Sequence, residues 1–297
     1  MKDIGIFFGL CSKIFLSRIH NIKNIVMDDI DRFLKEDLGK KGDITSDSLF
    51  TSEQACAEII AQEDCIVAGI EELKIIFDKT GATATLQASD GDFAAKGAVV
   101  ATIKGSARSI LKGERLALNI IGRMSGIAAE TKKLVDKCRA INPNVTIAAT
   151  RKTTPGFRKY EKKAVVVGGG ESHRFGLFDA IMIKDNHLKL VGTVEEAINK
   201  IKEKVQNTII EVEVGNAHDA ETAAALNVDV IMLDNFDPKV GEVVAKKIRK
   251  INPHILIEIS GGVTEENIEK YASFADRISL GYLTHSIKNK DFSLEIK

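Results

Sequence analysis

The second half of the chain constrains the fold most, because short β-rich runs alternate there with amphipathic helical stretches. Six such runs follow one another from about residue 144: VTIAAT, AIMIK, IIEVEV, DVIMLD, ILIEIS and RISLGY. Helical spacing occupies residues 194–205, 217–226, 238–250 and 265–274 between them. Strands that alternate with helices form right-handed βαβ units and a parallel sheet. This half is therefore predicted to be a (β/α) barrel, complete or incomplete.

The first half has a different pattern. Residues 55–69 are typical of two strands with a turn near Glu63-Asp64, and residues 71–80 have helical spacing. Glycines separate short strand-like runs within residues 82–103. An amphipathic helix is expected to begin at Met27, before this compact α+β region.

One segment connects the two halves. Residues 109–140 are apolar at helical spacing and contain no proline, which predicts one or two helices. If there are two, Ser125-Gly126 is the expected break.

Charge and hydropathy exclude several kinds of partner. Lys plus Arg equals Asp plus Glu, 42 against 42, so no global charge favours nucleic acid or an anionic membrane. No apolar run reaches the roughly 18 residues of a membrane span. Residues 5–26 are apolar and basic, but Lys13 and Arg18 interrupt them. We interpret them as an N-terminal extension, with a signal peptide as the alternative.

The four cysteines indicate a reducing compartment. They form no C-x-x-C pair, and none lies near a histidine at metal-ligand spacing. Free thiols in the cytoplasm are the expected state. These cysteines are Cys11, Cys56, Cys65 and Cys138.

Cations follow the ends of several predicted strands, where the active face of a parallel barrel lies. Cations gathered at one mouth repel one another unless an anionic ligand offsets their charge. A ligand with several negative charges is therefore predicted; salt bridges to Glu161 and Asp185 are the alternative. The set is Arg151, Lys152, Arg158, His173, Arg174 and Lys184, with Arg115 from the connecting segment.

Two carboxylates and a glycine-rich turn complete the predicted mouth. Glu213 and Asp234 end adjacent strands and would suit Mg²⁺ beside a bound phosphate, or would pair directly with lysines. Ser260-Gly261-Gly262 precedes a helical run, and Gly281 follows one strand later, which favours a phosphate site. The run 168–170 (GGG) is interpreted as a flexible loop that lets His173 and Arg174 approach the ligand.

Several motifs occur together and in order. They are DITS (43–46), GERLALNIIGRMSGIA (113–128), TRKTTPG (150–156), GGGESHRFGLFDAIMIKDNH (168–187), EVEV (211–214), IMLDNF (231–236), SGGVTEENI (260–268) and LTHS (283–286). With these motifs the chain resembles quinolinate phosphoribosyltransferase over residues 27–297.

The resemblance implies an α/β fold with an N-terminal α+β sandwich and an incomplete barrel of about seven strands. The implied segments are 1–26 as extension, 27–128 as sandwich domain, 129–286 as barrel, and 287–297 as a tail packing on the first domain. It also implies a homodimer, or a higher oligomer such as a hexamer, in which Arg115 reaches the neighbouring site. The implied substrates are quinolinate and phosphoribosyl pyrophosphate, with Mg²⁺, and the products are nicotinate mononucleotide, pyrophosphate and CO₂ for NAD biosynthesis.

The resemblance also assigns residues. Arg151, His173, Arg174 and Lys184 would hold the two quinolinate carboxylates, and Arg115 matches the arginine that the site takes from the partner subunit. Lys152, Glu213 and Asp234 would contact the phosphoribosyl pyrophosphate and its Mg²⁺, and Lys184, Glu213 and Asp234 form the predicted catalytic set. Ser260, Gly261, Gly262 and Gly281 match the 5′-phosphate loops, and Thr150, Tyr282 and Leu283 complete the predicted substrate-binding set. Three positions depart from the family pattern: Ser172, Gly215 and Tyr282.

Three alternatives stay open from the sequence. Lys184 could form a Schiff base in a sugar-phosphate aldolase or isomerase barrel. A paralogous phosphoribosyltransferase could share the fold with another base specificity. The barrel could also bind a ligand without catalysis.

Overall fold

We describe residues 29–297 in a computed structural model of the chain. The predicted N-terminal extension, the expected helix start at Met27 and Cys11 lie outside the described residues. The described residues divide into two compact units, one that extends to Ser125 and includes Lys290–Lys297, and one of Gly126–Asn289.

The first unit is built on an antiparallel sheet of four strands in the order β12-β1-β5-β3, with β2 and β4 as a separate pair. Its strands are β1 (Gln54–Ala61), β2 (Cys65–Ile66), β3 (Thr83–Leu86), β4 (Phe93–Ala94), β5 (Val99–Ser106) and β12 (Phe292–Ile296). Its helices include α1 (residues 29–38), α2 (Ile44–Leu49) and α3 (Ile70–Thr80).

In this unit, the two strands predicted within residues 55–69 and the helix predicted at residues 71–80 are confirmed. The two strands predicted in residues 55–69 are β1 and β2, and the predicted helix at 71–80 is α3. The two strands do not pair with each other, because β1 pairs with β5 and β12 whereas β2 pairs with β4. The last of the described strands, β12, thus completes the sheet that β1 begins.

The connecting segment is one continuous helix, α4 (Ala107–Arg139), which is the first of the two predicted alternatives, and Ser125-Gly126 does not break it. The two residues serve packing instead. The Ser125 hydroxyl accepts a hydrogen bond from the Ala68 N–H at 3.0 Å. A Cβ at Gly126 would collide with the carbonyl oxygen of Lys288. Glycine here allows a close backbone approach without ending the helix.

The second unit contains a parallel sheet of six strands in the order β6-β11-β10-β9-β8-β7. All six predicted runs form its strands: β6 (Thr146–Ala148), β7 (Ile181–Ile183), β8 (Ile210–Val214), β9 (Val230–Asp234), β10 (Leu256–Ser260) and β11 (Arg277–Ser279). The other helices are α5 (Arg158–Val167), α6 (Asp185–Val191), α7 (Val194–Lys202), α8 (Ala217–Ala225), α9 (Pro238–Ile251), α10 (Glu269–Ala272) and α11 (Tyr282–His285). The α/β fold is confirmed.

The sheet does not close into a full barrel within the described residues, since β6 and β7 are its two edges. A single bridge stands beside β6 in place of a seventh strand. The Glu171 N–H donates to the Ile147 carbonyl at 2.7 Å, and the Ala149 N–H donates to the Glu171 carbonyl at 2.9 Å. This bridge holds the segment that leads into His173.

The helix predicted at residues 265–274 is wrong in length, because α10 has only four residues. The Asn267 side chain accepts a hydrogen bond from the Thr264 N–H at 2.8 Å and donates to the Gly262 carbonyl at 2.9 Å. Such side-chain bonds give the backbone an alternative to helix and favour a turn. No helix among the described residues is long and apolar enough to cross a membrane.

Candidate functional site

The inner face of the six-stranded sheet carries a row of polar side chains toward the carboxyl ends of its strands. Side chains two residues apart on a strand share a face, so Glu211 and Glu213 on β8 point the same way. Glu213 lies opposite Met232 on β9, and Met232 lies opposite Glu258 on β10. At the next level Asp234 lies opposite Ser260. The parallel register therefore brings the predicted carboxylates and the predicted glycine turn to one edge.

A cavity of about 690 Å³ opens at this edge, within the second unit. It brings together most of the site residues predicted for that unit. They are Thr150, Arg151, Lys152, His173, Arg174, Lys184, Glu213, Asp234, Ser260, Gly261, Gly262, Gly281 and Tyr282. His285, which the sequence reading did not select, also lines it.

Three predicted residues lie elsewhere. Arg115 is exposed on the part of α4 that belongs to the first unit. Leu283 is fully buried, so its side chain is packing within α11. Arg158 does not line the cavity: its Nε donates to the Thr153 hydroxyl at 2.9 Å and its Nη1 to the Phe175 carbonyl at 3.2 Å. Arg158 thus ties two loops together, and its expected place among the mouth cations is wrong.

The cavity is strongly cationic on one side. The Nε of Arg151 is buried and has no hydrogen-bond partner among the described residues. One terminal nitrogen of Arg174 donates to the Ala180 carbonyl at 3.3 Å. Burial and the neighbouring charge of Arg151 both lower the pKa of the Arg174 guanidinium. Two guanidinium groups held this close are stabilised by an anionic ligand that accepts from both.

The carboxylates face those cations. Glu213 is ion-paired with Lys184, so the predicted alternative of a direct lysine contact holds for this residue. Asp234 accepts a hydrogen bond from the Asn235 side chain at 2.6 Å through one oxygen. Each carboxylate keeps its second oxygen without a hydrogen bond among the described residues. Two carboxylates with free oxygens beside a cavity for an anion suit Mg²⁺, which prefers one or two carboxylates plus phosphate oxygens.

A smaller cavity of about 370 Å³ is also lined by Glu213 and Asp234. Its lining includes Gly215, one of the positions that depart from the family pattern. A Cβ there would meet nothing within 4 Å, so packing does not require the glycine.

The turn at Ser260-Gly261-Gly262 has a backbone conformation that only glycine adopts readily, as expected of a phosphate-binding loop. Gly261 and Gly262 have φ values of 77° and 61°, in the left-handed region that favours glycine. A Cβ on Gly261 would also collide with the Asn235 side chain. Since α10 begins only at Glu269, the N–H groups available to an anion are those of the loop, without a helix N-terminus directly behind them.

Comparison with models of known protein families identifies the family of this chain. The family model described as quinolinate phosphoribosyl transferase, C-terminal domain, matches residues 127–295, and the corresponding N-terminal domain model matches residues 43–125. The chain belongs to the quinolinate phosphoribosyl transferase family.

Individual family members agree over nearly the whole chain. The probable nicotinate-nucleotide pyrophosphorylase (carboxylating) of Archaeoglobus fulgidus is 43% identical over 258 residues, which cover 86% of this chain and 98% of that protein. Quinolinate phosphoribosyltransferase (decarboxylating) 1 of Nicotiana glauca is 38% identical over 283 residues, covering 89% and 80%. The solved structure of nicotinate-nucleotide pyrophosphorylase from Francisella tularensis superposes with a TM-score of 0.86 at 35% identity, covering 92% of this chain and 96% of that one.

The cavity borders a buried charged cluster that the sequence did not predict. The His173 Nε2 lies 3.1 Å from the Glu258 carboxylate and 3.4 Å from that of Glu211. Arg277 donates to the same Glu258 oxygen at 3.0 Å and to Glu171 at 2.9 Å. The signal was present in the sequence, because Glu211 and Glu258 are charges in the middle of apolar strands.

The cluster perturbs its members strongly. Burial raises the pKa of Glu211, and the charge of Glu258 raises it further. Burial also acts to raise the pKa of Glu258, but the charges and hydrogen bonds of His173 and Arg277 outweigh it and lower that pKa. His173, Glu211 and Glu258 lie close enough together to hold a metal ion. Arg277 already supplies a cation to Glu258, so the cluster is compensated by protein charges.

The run of glycines before His173 packs tightly, so its interpretation as a flexible loop is wrong. A Cβ on Gly168 would collide with the Ala128 carbonyl oxygen and the Thr131 side chain, and one on Gly170 would lie 2.8 Å from the Ile147 carbonyl oxygen. Buried Lys162 donates a hydrogen bond to the Ser172 carbonyl. The glycines permit close approach between α4, α5 and β6, and they hold the following segment in place.

Proposed function

We propose that this chain is an enzyme that transfers phosphoribosyl from phosphoribosyl pyrophosphate to quinolinate with decarboxylation. The products are nicotinate mononucleotide, pyrophosphate and CO₂, and the pathway served is NAD biosynthesis. The observation that carries the proposal is the single cavity that joins Arg151, Arg174 and Lys184 to two carboxylates and a glycine turn. Family membership supports the same reaction, because relatives over nearly the full chain carry this activity in their names.

The cationic side of the cavity is assigned to quinolinate. This substrate carries two carboxylates on neighbouring ring atoms, and guanidinium groups bind carboxylates through paired hydrogen bonds. Arg151 and Arg174 would fix one carboxylate and Lys184 the other, which directs the ring nitrogen toward the sugar. Orientation of this kind converts a bimolecular encounter into a unimolecular step.

The opposite side is assigned to phosphoribosyl pyrophosphate. Lys152, Glu213 and Asp234 would contact it, and Ser260 with the three loop glycines would hold its 5′-phosphate. Mg²⁺ bound by Glu213 and Asp234 would supply positive charge to the pyrophosphate group. Thr150, whose hydroxyl accepts from the Lys152 N–H at 3.1 Å, would set the conformation of the Lys152 main chain.

The bond changes need no further cofactor. The lone pair of the pyridine nitrogen forms the new bond to the anomeric carbon as the bond to pyrophosphate breaks. The nitrogen becomes cationic, so when the 2-carboxylate leaves as CO₂ its electron pair is stabilised at the neighbouring ring carbon, which then takes a proton. The Glu213 carboxylate would stabilise the positive charge that develops on the ribose.

The ion pair of Lys184 argues against the aldolase alternative. A Schiff base requires an unprotonated amine, and lysines that form one are desolvated or lie beside other cations. The Lys184 ammonium instead donates to Glu213, and 38% of its side chain is exposed. These contacts favour a fixed positive charge, as carboxylate binding requires.

We also propose a homodimer in which Arg115 enters the neighbouring site, as the family resemblance implies. Arg115 is exposed and makes no ion pair with another described residue. The test mixes two inactive variants, Arg115→Ala and Lys184→Ala. Subunits that exchange would regain activity if Arg115 acts across the interface, whereas no recovery would refute a shared site. The cytoplasm is the proposed compartment, supported by free thiols at Cys56, Cys65 and Cys138.

The reaction is tested by release of labelled CO₂ from quinolinate labelled in its 2-carboxylate. We expect release only when phosphoribosyl pyrophosphate and Mg²⁺ are both present. Lys184→Met should abolish release, whereas Lys200→Met, an exposed lysine on α7, should not change it. Release that does not depend on phosphoribosyl pyrophosphate would refute the proposed function.

A further inference from the structure

Tyr282 lines the cavity but binds a residue outside it. Its hydroxyl donates a hydrogen bond to the carboxylate of Glu130 on α4 at 3.2 Å, and Glu130 is not among the described residues that line the cavity. Burial and the charge of Glu130 both raise the pKa of the Tyr282 phenol, so the hydroxyl keeps its proton at neutral pH and remains a donor. Tyr282 is one of the three positions that depart from the family pattern, so family membership alone does not explain this contact.

The contact fixes α11, a helix of four residues that begins directly after Gly281. The Thr284 hydroxyl on this helix donates to the Lys152 carbonyl at 2.7 Å. A Cβ on Gly281 would lie 2.8 Å from the Lys152 side chain, so the lysine stem packs directly against the glycine. Gly281 and Lys152 are both assigned to phosphoribosyl pyrophosphate. The position of Tyr282 therefore determines where both of them lie.

The same face of α4 holds the other proposed phosphate loop. Glu130, Lys133 and Lys137 follow one another at intervals of three and four residues, which places them on one side of the helix. The Lys133 ammonium lies 2.5 Å from the Glu265 carboxylate, and the Lys137 ammonium donates to the Glu265 carbonyl at 2.8 Å. Glu265 comes three residues after Gly262. This α4 face thus binds both loops.

We propose that Tyr282 and Glu130 are positioning residues: with the lysines of the same α4 face they set the separation of the two loops that would hold the 5′-phosphate of phosphoribosyl pyrophosphate. The inference rests on the proposed function and deepens it at one subsite. Because α4 is one continuous helix, contacts along a single face keep the loops at a fixed separation. Donors that are held in place before the ligand arrives bind it more tightly, since less ordering is needed on binding.

The contacts of Glu130 differ in strength. The half-buried Tyr282 hydroxyl donates to an ionised acceptor, and such hydrogen bonds are stronger than those between neutral groups. The Lys133 ammonium lies 3.9 Å from the second Glu130 oxygen, and 51% of the Lys133 side chain is exposed, so this pair contributes little. Glu130→Gln keeps an acceptor for the tyrosine and loses only the weak pair, whereas Glu130→Ala loses both.

The first test measures binding of ribose 5-phosphate to the full-length protein by calorimetry. This probe carries the 5′-phosphate but neither the pyrophosphate nor the base. We expect Tyr282→Phe and Glu130→Ala each to weaken binding about tenfold and Glu130→Gln to stay within about threefold of wild type. The control is Lys132→Met, which removes an exposed pair with Asp136 on the same helix and should leave binding unchanged.

Three results of this experiment would overturn the proposal. Unchanged binding in Tyr282→Phe would show that the hydroxyl contact does not position the loops. Equal losses in the two Glu130 variants would show that the carboxylate charge matters and the hydrogen bond does not. Absence of ribose 5-phosphate binding in the wild-type protein would mean that the two loops hold no sugar phosphate. Thermal unfolding of each variant establishes that it is folded at the temperature of the measurement.

The second test separates the two substrates by steady-state kinetics. Tyr282→Phe should raise the KM for phosphoribosyl pyrophosphate about tenfold and change the KM for quinolinate by less than about twofold. A parallel rise in both KM values would indicate a general distortion of the cavity and would overturn the proposal. The calorimetry does not depend on turnover. If the wild-type protein binds ribose 5-phosphate as expected but releases no CO₂, the proposed function is refuted and the positioning role stands.

Discussion

The ammonium of Lys184 is ion-paired with the carboxylate of Glu213 across the neighbouring strands β7 and β8. The pair joins the proposed quinolinate side of the cavity to the proposed sugar side. Removal of either partner leaves the other charge half-buried and uncompensated, so the two residues should act as a unit.

The first prediction is a double-mutant cycle on this pair. Lys184→Met and Glu213→Gln should each lower kcat/KM by at least about 100-fold, and the double variant should lose much less than the product of the two effects. Steady-state kinetics with both substrates measure this. If the loss of kcat/KM in the double variant equals the product of the two single losses, the side chains act independently and their contact does not affect catalysis.

The second prediction concerns stability of the buried cluster. Arg277→Met removes the cation that lies 3.0 Å from the fully buried Glu258, which should lower the free energy of unfolding by about 3 to 5 kcal/mol. Urea denaturation measures this loss. Lys246→Met removes an exposed pair with Glu242 and should change stability by less than about 1 kcal/mol. Similar losses in both variants would contradict the importance of burial.

The third prediction is a pH dependence of stability due to Lys162. Burial lowers its pKa from 10.5 to about 8, with a further contribution from the charge of Arg158. Below pH 8 the lysine is protonated in both states, and the cost of burying its charge is fully present. Between pH 8 and 10.5 the unfolded chain binds more protons than the folded one, so this contribution to stability rises with pH.

Lys162→Met lacks this titration and serves as the comparison. Its free energy of unfolding relative to wild type should fall by about 2 kcal/mol between pH 7 and pH 9.5, because only the wild-type protein gains stability as the amine loses its proton. Denaturant unfolding at the two pH values gives the difference, and other titrating groups cancel in the comparison. A pH-independent difference would contradict a lowered pKa at Lys162.

The fourth prediction tests the tight packing of the glycine run. Gly168→Ala would place a methyl group against the Ala128 carbonyl oxygen and the Thr131 side chain, which should cost about 1 to 3 kcal/mol of stability. Gly215→Ala is the matched control, because its methyl group would meet nothing within 4 Å. Thermal unfolding of the two variants should separate them clearly. Equal stability of Gly168→Ala and Gly215→Ala would contradict the tight packing of residues 168–170.

Much of the site could be predicted because strand ends are visible in a sequence. Glu213 and Asp234 each end a hydrophobic run, and parallel strands bring their carboxyl ends to one edge, so their proximity follows from the pattern alone. Arg158 was assigned to the same edge by its charge, yet it lies at the start of α5 and binds the Thr153 hydroxyl. Charge near a strand end does not determine which way a side chain points.

The buried cluster depends on register, which one sequence does not reveal. Glu258 meets Arg277 because β10 and β11 pair at those two residues, and His173 reaches them from a bridge that is too short to resemble a strand. The length of α10 was also mistaken. Helical spacing was present, but the N–H groups of Asn267, Lys270 and Tyr271 bond to carbonyls three residues back, so most of the segment forms turns rather than α-helix.

The strand β12 has a consequence for biosynthesis. It pairs with β1 across five registered positions, although the two segments lie at opposite ends of the described chain. During translation β1 emerges early with one edge open, and β12 emerges only after all the strands of the second unit. The nascent chain must therefore carry an uncovered strand edge while the residues between Ala61 and Phe292 are synthesised, and β12 then closes it.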